Sequence, residues 1–448
     1  MTTGWFGALF GRGDVDAGDT AWLQAMLDTE AALARALERA GLAPPGSGAA
    51  VTEIARAEFM DNRALREGAA TTGNPVPALV RELSRRLPEH TPVHTGATSQ
   101  DIIDTAAMLV AKRAIEVILA DLSVSAASCA AQARNHARTV MSGRTLLQQA
   151  VPVTFGLVAA GWMTAIDEAR QDLRRINSTR LAVQFGGAAG TLASLGDAGP
   201  RVAALLAEEL GLAVPVLPWH TNRLRIIELA AALASTCAAL GKIARDVTLL
   251  AQTEVAEVRA GTGGSSTMPH KQNPVAAITL LGCTKQAPGL LATLTAAAEQ
   301  EHQRAAGAWH SEWQPLSHLL TLTSSAAGWS TEMLTDLEVD AAQMRANLNA
   351  GHGLPMAENV TKLLTPPLGR LPAHDLVAEA STRATRDKTN LAEALLADPA
   401  SAAKLADAGL GRAELESALQ PESYLGATGE FIDRALAEHA STEEEFRS

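Results

Sequence analysis

Residues 261 to 274 read "GTGGSSTMPHKQNP". The stretch interrupts a chain that otherwise repeats Ala and Leu at helical spacing, and it has neither the period of a helix nor the alternation of a strand. Gly261, Gly263 and Gly264 give flexibility, Ser265, Ser266 and Thr267 give hydroxyls, and Lys271 gives a charge ahead of the helix start at Asn273-Pro274. A loop of this composition can open and close over a small molecule. Taken singly it could also be a structural linker. It is not a phosphate loop, because the GxxxxGK[ST] spacing is absent and no strand precedes it.

On either side the pattern is helical. Residues 20–40, "TAWLQAMLDTEAALARALERA", repeat apolar residues at three and four and stop at Gly41 and Pro44-Pro45, which predicts a helix. Apolar-striped segments recur from Ile102 to about Arg138, Pro152 to about Thr179, Arg225 to about Val258, Pro274 to about Ala297 and Pro315 to about Leu337. At about 1.5 Å per residue the first would run roughly 50 Å. The expected fold is all-α in three parts. A helical domain over 1–100 ends in the turn-rich "RLPEHTPVHTGATSQD", a long-helix bundle over 101–345 carries the loop 261–274, and a small helical domain over 346–448 is broken at "LTPPLGRLP". No strand alternation and no repeat period is read. Faces such as "LAAALASTCAALGKIA" are apolar on more than one side, and burial against other subunits would cover them.

Composition agrees with close helix packing. Of 448 residues 47% are hydrophobic but only 3% aromatic, with Tyr424 the single tyrosine, so Ala, Leu, Val and Ile fill the interior. The net charge of −12, with no Lys/Arg run longer than two, argues against nucleic acid and anionic membranes as partners. An anionic substrate would need a local basic pocket. Cys129, Cys237 and Cys283 are odd in number, far apart and in helical contexts, and read as reduced core thiols. The start "MTTGWFGALFGRGD" lacks a basic n-region, and no stretch is read as spanning a bilayer, so a soluble, cytoplasmic protein is expected.

Two further irregular stretches concentrate polar residues. In "HTGATSQD", His94 to Asp101, Thr98 or Ser99 either caps the next helix or, with backbone N–H groups, binds a carboxylate. In "SGRTLLQQAVPVTFG", Ser142 to Gly156, Arg144 beside Gln148 and Gln149 either suits carboxylate recognition or closes a helix C-terminus. His302 and His310 lack the carboxylates a metal site needs, and no metal is expected. Trp309 and Trp313 read as packing residues, and "FGGAAG" lacks the strand–helix context of a dinucleotide site.

Together the three stretches resemble the fumarase/aspartase superfamily. The match is carried by "GSSxMPxKxNP" from Gly264 to Pro274, "TSQDxxDTA" from Thr98 to Ala106 and "GRTxxQ" from Gly143 to Gln148. The resemblance implies a three-domain all-helical fold, a homotetramer whose active sites are shared between subunits, and chemistry without a cofactor. It implies Ser265 as the residue exchanging the proton alpha to a carboxylate, with Lys271 and Asn273 holding that carboxylate. A serine is a poor base at its free pKa, so loop closure, N–H dipoles and the Lys charge must activate it. The same motifs imply substrate contacts from Thr98, Ser99, Arg144, Thr145, Gln148, Gln149, Ser266 and Met268. A tricarboxylate needs more than one cationic anchor, and Arg223, which reads equally as a surface ion pair, joins Arg144 as a candidate, with His94 and His310 as further ones.

The departures are informative. Fumarases and adenylosuccinate lyases typically carry His after "GRT", where this chain has Leu146, and some related cycloisomerases have His in "LQHA", where it has Gln149. Expelling an amine or hydroxide needs a proton donor. Opening a lactone releases a carboxylate of pKa roughly 4 and needs none. The missing histidine therefore favours the lactonising, cycloisomerase branch and its tricarboxylate over the fumarate-releasing lyases, although His94 or His310 could still supply an acid.

Overall fold

The structure is a computed structural model that describes residues 6–447 apart from His90, Thr262, residues 265–267 and residues 269–270. The expectations for Ser265 and Ser266 lie outside the described residues. By contacts the chain divides into two compact units, each built from three segments: Met1–Val124, Glu168–Ala244 and Ala276–Glu332 form the first, and Ser125–Asp167, Arg245–Val275 and Met333–Ser448 the second.

The principal elements are α1 (Asp19–Arg39), α2 (Ser99–Asn135), β1 (Val140–Thr145), β2 (Gln148–Thr154), α3 (Phe155–Thr179), α4 (Leu224–Leu250), β3 (Val258–Ala260), β4 (Gly263–Gly264), β5 (Gln272–Asn273), α5 (Val275–Thr284), α6 (Ala287–Ala296), α7 (Trp313–Thr335), β6 (Leu337–Val339) and α8 (Thr428–Arg447). The 37 residues of α2 span about 55 Å.

In the first unit, α1 buries Ala25, Leu27, Ala32, Ala36 and Leu37, while Arg35 and Arg39 on its outer edge pair with Glu208 and Glu209. Ala106, Ala111, Ala230, Ala244, Ala277, Ala326 and Ala327 are wholly buried. Their single methyl groups let helix axes approach toward the short end of the usual 8–10 Å range. In the second unit, Phe155 meets Trp162 edge-on at 5.6 Å, and the Trp162 indole N–H donates to Asp246 at 2.8 Å. A separate core of Val360, Leu364, Leu376, Leu391, Leu395 and Leu415 joins the short helices that follow residue 356.

Three expectations are corrected. Strands exist: β1–β2, β3–β6 and β4–β5 form three two-stranded antiparallel sheets. The helix expected from Pro152 begins at Phe155, because Val151-Pro152-Val153 continues β2 opposite Met141 and Ser142. Pro152 can sit there because a two-stranded ribbon leaves an edge that needs no N–H. Three helical stretches, Ser99–Asn135, Leu224–Leu250 and Val275–Ala296, are long and apolar enough by length and composition to cross a membrane, contrary to the sequence reading. Their apolar windows are 44%, 50% and 33% buried within this chain, which leaves the uncovered apolar surface foreseen from the Ala/Leu faces.

Candidate active site

In the first unit, α2 opens where "HTGATSQD" ends. The Thr98 N–H donates to Asp101 Oδ2 at 3.0 Å and the Asp101 N–H donates to the Thr98 carbonyl at 2.9 Å, so a carboxylate three residues in closes the first turn. The half-buried hydroxyls of Thr98 and Ser99 make no such cap and have no partner among the described residues. Asp101 also accepts from the N–H groups of Gly186 at 3.1 Å and Gly187 at 2.9 Å, and from His220 Nε2 at 2.7 Å. A side chain on Gly186 would come within 2.7 Å of Pro218 and 2.8 Å of the His220 ring, and Gly187 holds φ +68°, so this turn requires both glycines.

Farther along α2, Asp104 accepts from Arg223 Nη1 at 2.8 Å and Nη2 at 3.0 Å, from the Trp309 indole at 2.9 Å and from Gln100 at 3.1 Å. Glu312 takes the other edge of Arg223, at 2.6 Å from Nη2 and 3.0 Å from Nε, and accepts from Gln300 at 2.9 Å. Burial works against the Arg223 charge, but the two carboxylates outweigh it and hold the guanidinium above its ordinary range. Burial lifts the Glu312 carboxyl above the usual carboxylate value, and Arg223 reverses this only in part. For Arg223 the sequence allows a substrate anchor or a surface ion pair. Its side chain is 1% exposed and clamped between two acids, so in this structure it is a buried cross-link.

His94, at φ 59°, has its Nδ1 2.7 Å from Oε1 of the buried Glu30, and its own N–H donates to Oε2 at 3.1 Å. Burial alone would lower the imidazole pKa. The Glu30 hydrogen bond and charge, with the charge of Asp101, outweigh that and hold it above its usual value. His310 is turned elsewhere, with Nε2 3.1 Å from the Gly73 carbonyl and its ring against Trp309 and Trp313.

In the second unit, "SGRTLLQQAVPVTFG" is the β1–β2 hairpin. Ser142 pairs with Pro152, Arg144 with Gln149 and Thr145 with Gln148, with a bulge between the first two pairs, where β2 carries one residue more than β1. Arg144 makes a two-pronged ion pair with the buried Glu257, at 2.6 and 2.8 Å, and Asn347 donates to the same carboxylate at 2.8 Å. This guanidinium therefore already holds an internal carboxylate. Thr145, Gln148 and Gln149 are exposed, and Gln149 donates to the Asn347 carbonyl at 3.2 Å. Between the strands Leu146 and Leu147 both adopt positive φ, and Leu146 is 96% exposed.

The loop 261–274 has a defined base. Gly263 pairs with Asn273 and Gly264 with Gln272. A Cβ on Gly263 would lie 2.6 Å from the Asn273 carbonyl oxygen, so only glycine lets these strands close. The Lys271 N–H donates to the Met268 carbonyl at 3.0 Å, and both side chains are exposed. The three cysteines are buried and free, and burial pushes the Cys237 thiol up to about 12. Among the described residues, one group with metal-ligand spacing, Asp167, His439 and Glu443, has donor atoms within 4.8 Å of one another, a proximity no sequence spacing foretold. His439 and Asp167 already share a 2.8 Å hydrogen bond there, which a metal ion would have to displace.

Against known proteins, a lyase family matches residues 16–289, and the adenylosuccinate lyase C-terminus matches residues 353–435. The first match alone covers more than half of the chain. The chain belongs to the lyase family of the fumarase/aspartase superfamily. Among relatives, a 3-carboxy-cis,cis-muconate cycloisomerase of Bradyrhizobium diazoefficiens is 47% identical over 93% of this chain and 94% of its own length. A nitrosuccinate lyase of Streptomyces davaonensis is 45% identical over 93% and 90%. The crystal structure of the 3-carboxy-cis,cis-muconate lactonizing enzyme from Pseudomonas putida aligns with TM-score 0.88 and 42% identity, over 95% of this chain and 96% of that one.

In this superfamily member, one motif that carried the resemblance and three further stretches supply the buried polar network. "TSQDIIDTA" gives Gln100, Asp101 and Asp104, "QFGG" gives Gly186 and Gly187, "LPWHTNR" gives His220 and Arg223, and "EHQRAAGAWHSEW" gives Gln300, Arg304, Trp309 and Glu312. Sequence reasoning passed over Asp101, His220, Glu257 and Arg304. Of these only Asp101 lies in a motif that carried the resemblance, and partners 119 residues apart, such as Asp101 and His220, leave no periodicity to detect.

Proposed function

We propose that this lyase-family member is a 3-carboxy-cis,cis-muconate cycloisomerase, closing its substrate to 4-carboxymuconolactone as a cytoplasmic homotetramer in aromatic-acid breakdown through protocatechuate. The observation that carries the reading is the 47% identity to the Bradyrhizobium cycloisomerase over 93% of this chain. In the proposed step, an oxygen of one substrate carboxylate attacks the C=C bond, and a C–O bond forms as the π bond breaks. Charge collects on the carbon alpha to another carboxylate, and Ser265 delivers the proton there and is reprotonated from solvent. Lys271 and Asn273 hold the carboxylate on which charge develops, and N–H groups at a helix start add to that stabilisation. Thr98, Ser99, Arg144, Thr145, Gln148, Gln149, Ser266, Met268, His94 and His310 remain candidate substrate contacts. Leu146 and Gln149 stand where relatives use an acid, and lactonisation needs none because its reverse expels only a carboxylate.

The same absence favours one second reading. A lyase that expels a weakly basic anion from a substituted succinate needs no acid either, and the nitrosuccinate lyase is 45% identical. Purified protein incubated with 3-carboxy-cis,cis-muconate should bleach the diene absorbance, and Ser265→Ala should lose most of that turnover while keeping its assembly state. No bleaching, with nitrite released from nitrosuccinate, would replace the first reading by the second.

A further inference from the structure

Glu30, in the middle of α1, is 1% exposed, and among the described residues it meets no lysine or arginine. Both of its oxygens go to His94. Oε1 lies 2.7 Å from the ring Nδ1, and Oε2 accepts the backbone N–H at 3.1 Å. Burying a carboxylate without a cation is unfavourable, and the His94 ring is the one group in contact that can balance its charge. An ionised carboxylate only accepts, which makes Nδ1 the donor and fixes the tautomer. The other ring nitrogen, Nε2, has no partner among the described residues, on a side chain that is 20% exposed. Protonation of the ring therefore puts a charged N–H on that open edge.

The backbone is held as firmly as the ring. His94 adopts φ 59°, a left-handed conformation that few residues besides glycine and asparagine take without cost. One carboxylate gripping both the ring and the N–H keeps it there. Its own carbonyl accepts the Ala97 N–H at 3.3 Å, which joins it to the turn carrying Thr98 and Ser99. The charges acting on the ring are Glu30 from α1 and Asp101 from α2, and both favour the imidazolium. On the remaining side a Cβ on Gly187 would lie 3.0 Å from the Gly96 carbonyl oxygen, so the Gly187 turn touches this one. That turn is held by Arg304, which donates to the carbonyls of Ala188 at 2.9 Å and Gly187 at 3.4 Å and to Gln100 Oε1 at 3.0 Å. A cation fixed in this way loses little freedom when it pairs with an anion.

We propose that Glu30 is a positioning residue of the substrate site: it fixes the His94 ring so that a charged Nε2–H is offered to one carboxylate of a di- or tricarboxylate ligand beside Thr98 and Ser99. The proposal rests on the reading of that turn as part of the active site, but its test needs no turnover. Tricarballylate, an inert tricarboxylate, serves as the probe, and calorimetry gives its dissociation constant for wild type, Glu30→Gln and His94→Asn at about pH 5 and about pH 7.5. Without Glu30 the ring keeps at most its ordinary pKa of about 6.5, so about a tenth of it or less is charged at the higher pH. Glu30→Gln should therefore bind roughly tenfold more weakly than wild type at about pH 7.5 and within about threefold of it at about pH 5, where the ring charges unaided. His94→Asn, which keeps a residue tolerant of positive φ, should be roughly tenfold weaker than wild type at both. If thermal melts show Glu30→Gln unfolded, His94→Asn carries the test: its deficit should persist at about pH 7.5, whereas a ring at its ordinary pKa would lose most of that deficit there. A Glu30→Gln deficit equal at the two pH values, as a merely structural role would give, overturns the proposal. So does wild-type affinity in His94→Asn, or no binding of tricarballylate by wild type. Failure of wild type to bleach the diene while tricarballylate still binds bears instead on the cycloisomerase reading.

Discussion

Nε2 of His220 lies 2.7 Å from Oδ1 of Asp101, both side chains being buried, and this one contact ties the "LPWHTNR" segment to the first turn of α2. Because Asp101 also accepts from three backbone N–H groups, its oxygens face donors on every described side.

Asp101→Asn puts an amide N–H2 against those donors. A buried donor facing donors forfeits its hydrogen bonds and its hydration, so a loss of about 2–4 kcal/mol of stability is expected by urea unfolding. A change below about 1 kcal/mol would contradict a structural role for the carboxylate.

Arg223 offers a sharper case, with its side chain 1% exposed. Arg223→Met leaves Asp104 and Glu312 as adjacent buried acids without their cation. Removing one partner from a buried ion network costs roughly 3–5 kcal/mol. Denaturation should show a loss of that size at neutral pH, easing at acid pH as the orphaned carboxyls take up protons. A pH-independent loss would argue that packing, not charge, is what Arg223 supplies.

His94 predicts a pH dependence. Its folded pKa is raised, chiefly by Glu30 overcoming burial. A raised base binds its proton more tightly folded than unfolded, so this stabilisation is complete below the ordinary imidazole pKa of about 6.5 and fades as pH rises through the folded value. The urea midpoint should therefore fall between pH 6 and the higher folded pKa by more in wild type than in His94→Asn. NMR titration should find the His94 ring above its usual value in wild type and below it in Glu30→Gln, where burial dominates. An unshifted ring in wild type would remove the basis for both expectations.

The hairpin tip should be improvable. Leu146 and Leu147 hold φ of 52° and 64°, and each left-handed non-glycine residue costs about 1–2 kcal/mol. Asn-Gly is the preferred pair for a two-residue loop with both φ positive. Leu146→Asn with Leu147→Gly should raise stability by about 1–2 kcal/mol, because the leucine side chains bury little within this chain. Destabilisation instead would mean that another copy of the chain covers them.

Much of this was legible along the chain. Apolar spacing at three and four marked most ends of the long helices to within a few residues, since one buried helix face imposes that period locally, but the helix expected to reach Val258 ends at Leu250 and the one expected over 274–297 is divided between Thr284 and Ala287. The unbroken Gly264–Pro274 motif carried the superfamily, because a loop shaped for one chemistry keeps its residue types in order. The strands were not legible: β4 and β5 are two residues each, and β1–β2 is stabilised by its own cross-strand pairing and by Arg144 on Glu257, not by an alternating buried face.

What the sequence determined by itself was the helical class, the superfamily and the list of polar residues available for a site. The tertiary structure decided how the arginines are employed: Arg223 and Arg144 are neutralised by internal acids, and Arg304 is left facing neutral oxygens. The physical reason is that an arginine's function depends on the charge folded beside it. Asp104 lies 119 residues from Arg223 and Glu257 lies 113 from Arg144, so no local pattern could announce which cation would be spent on the fold.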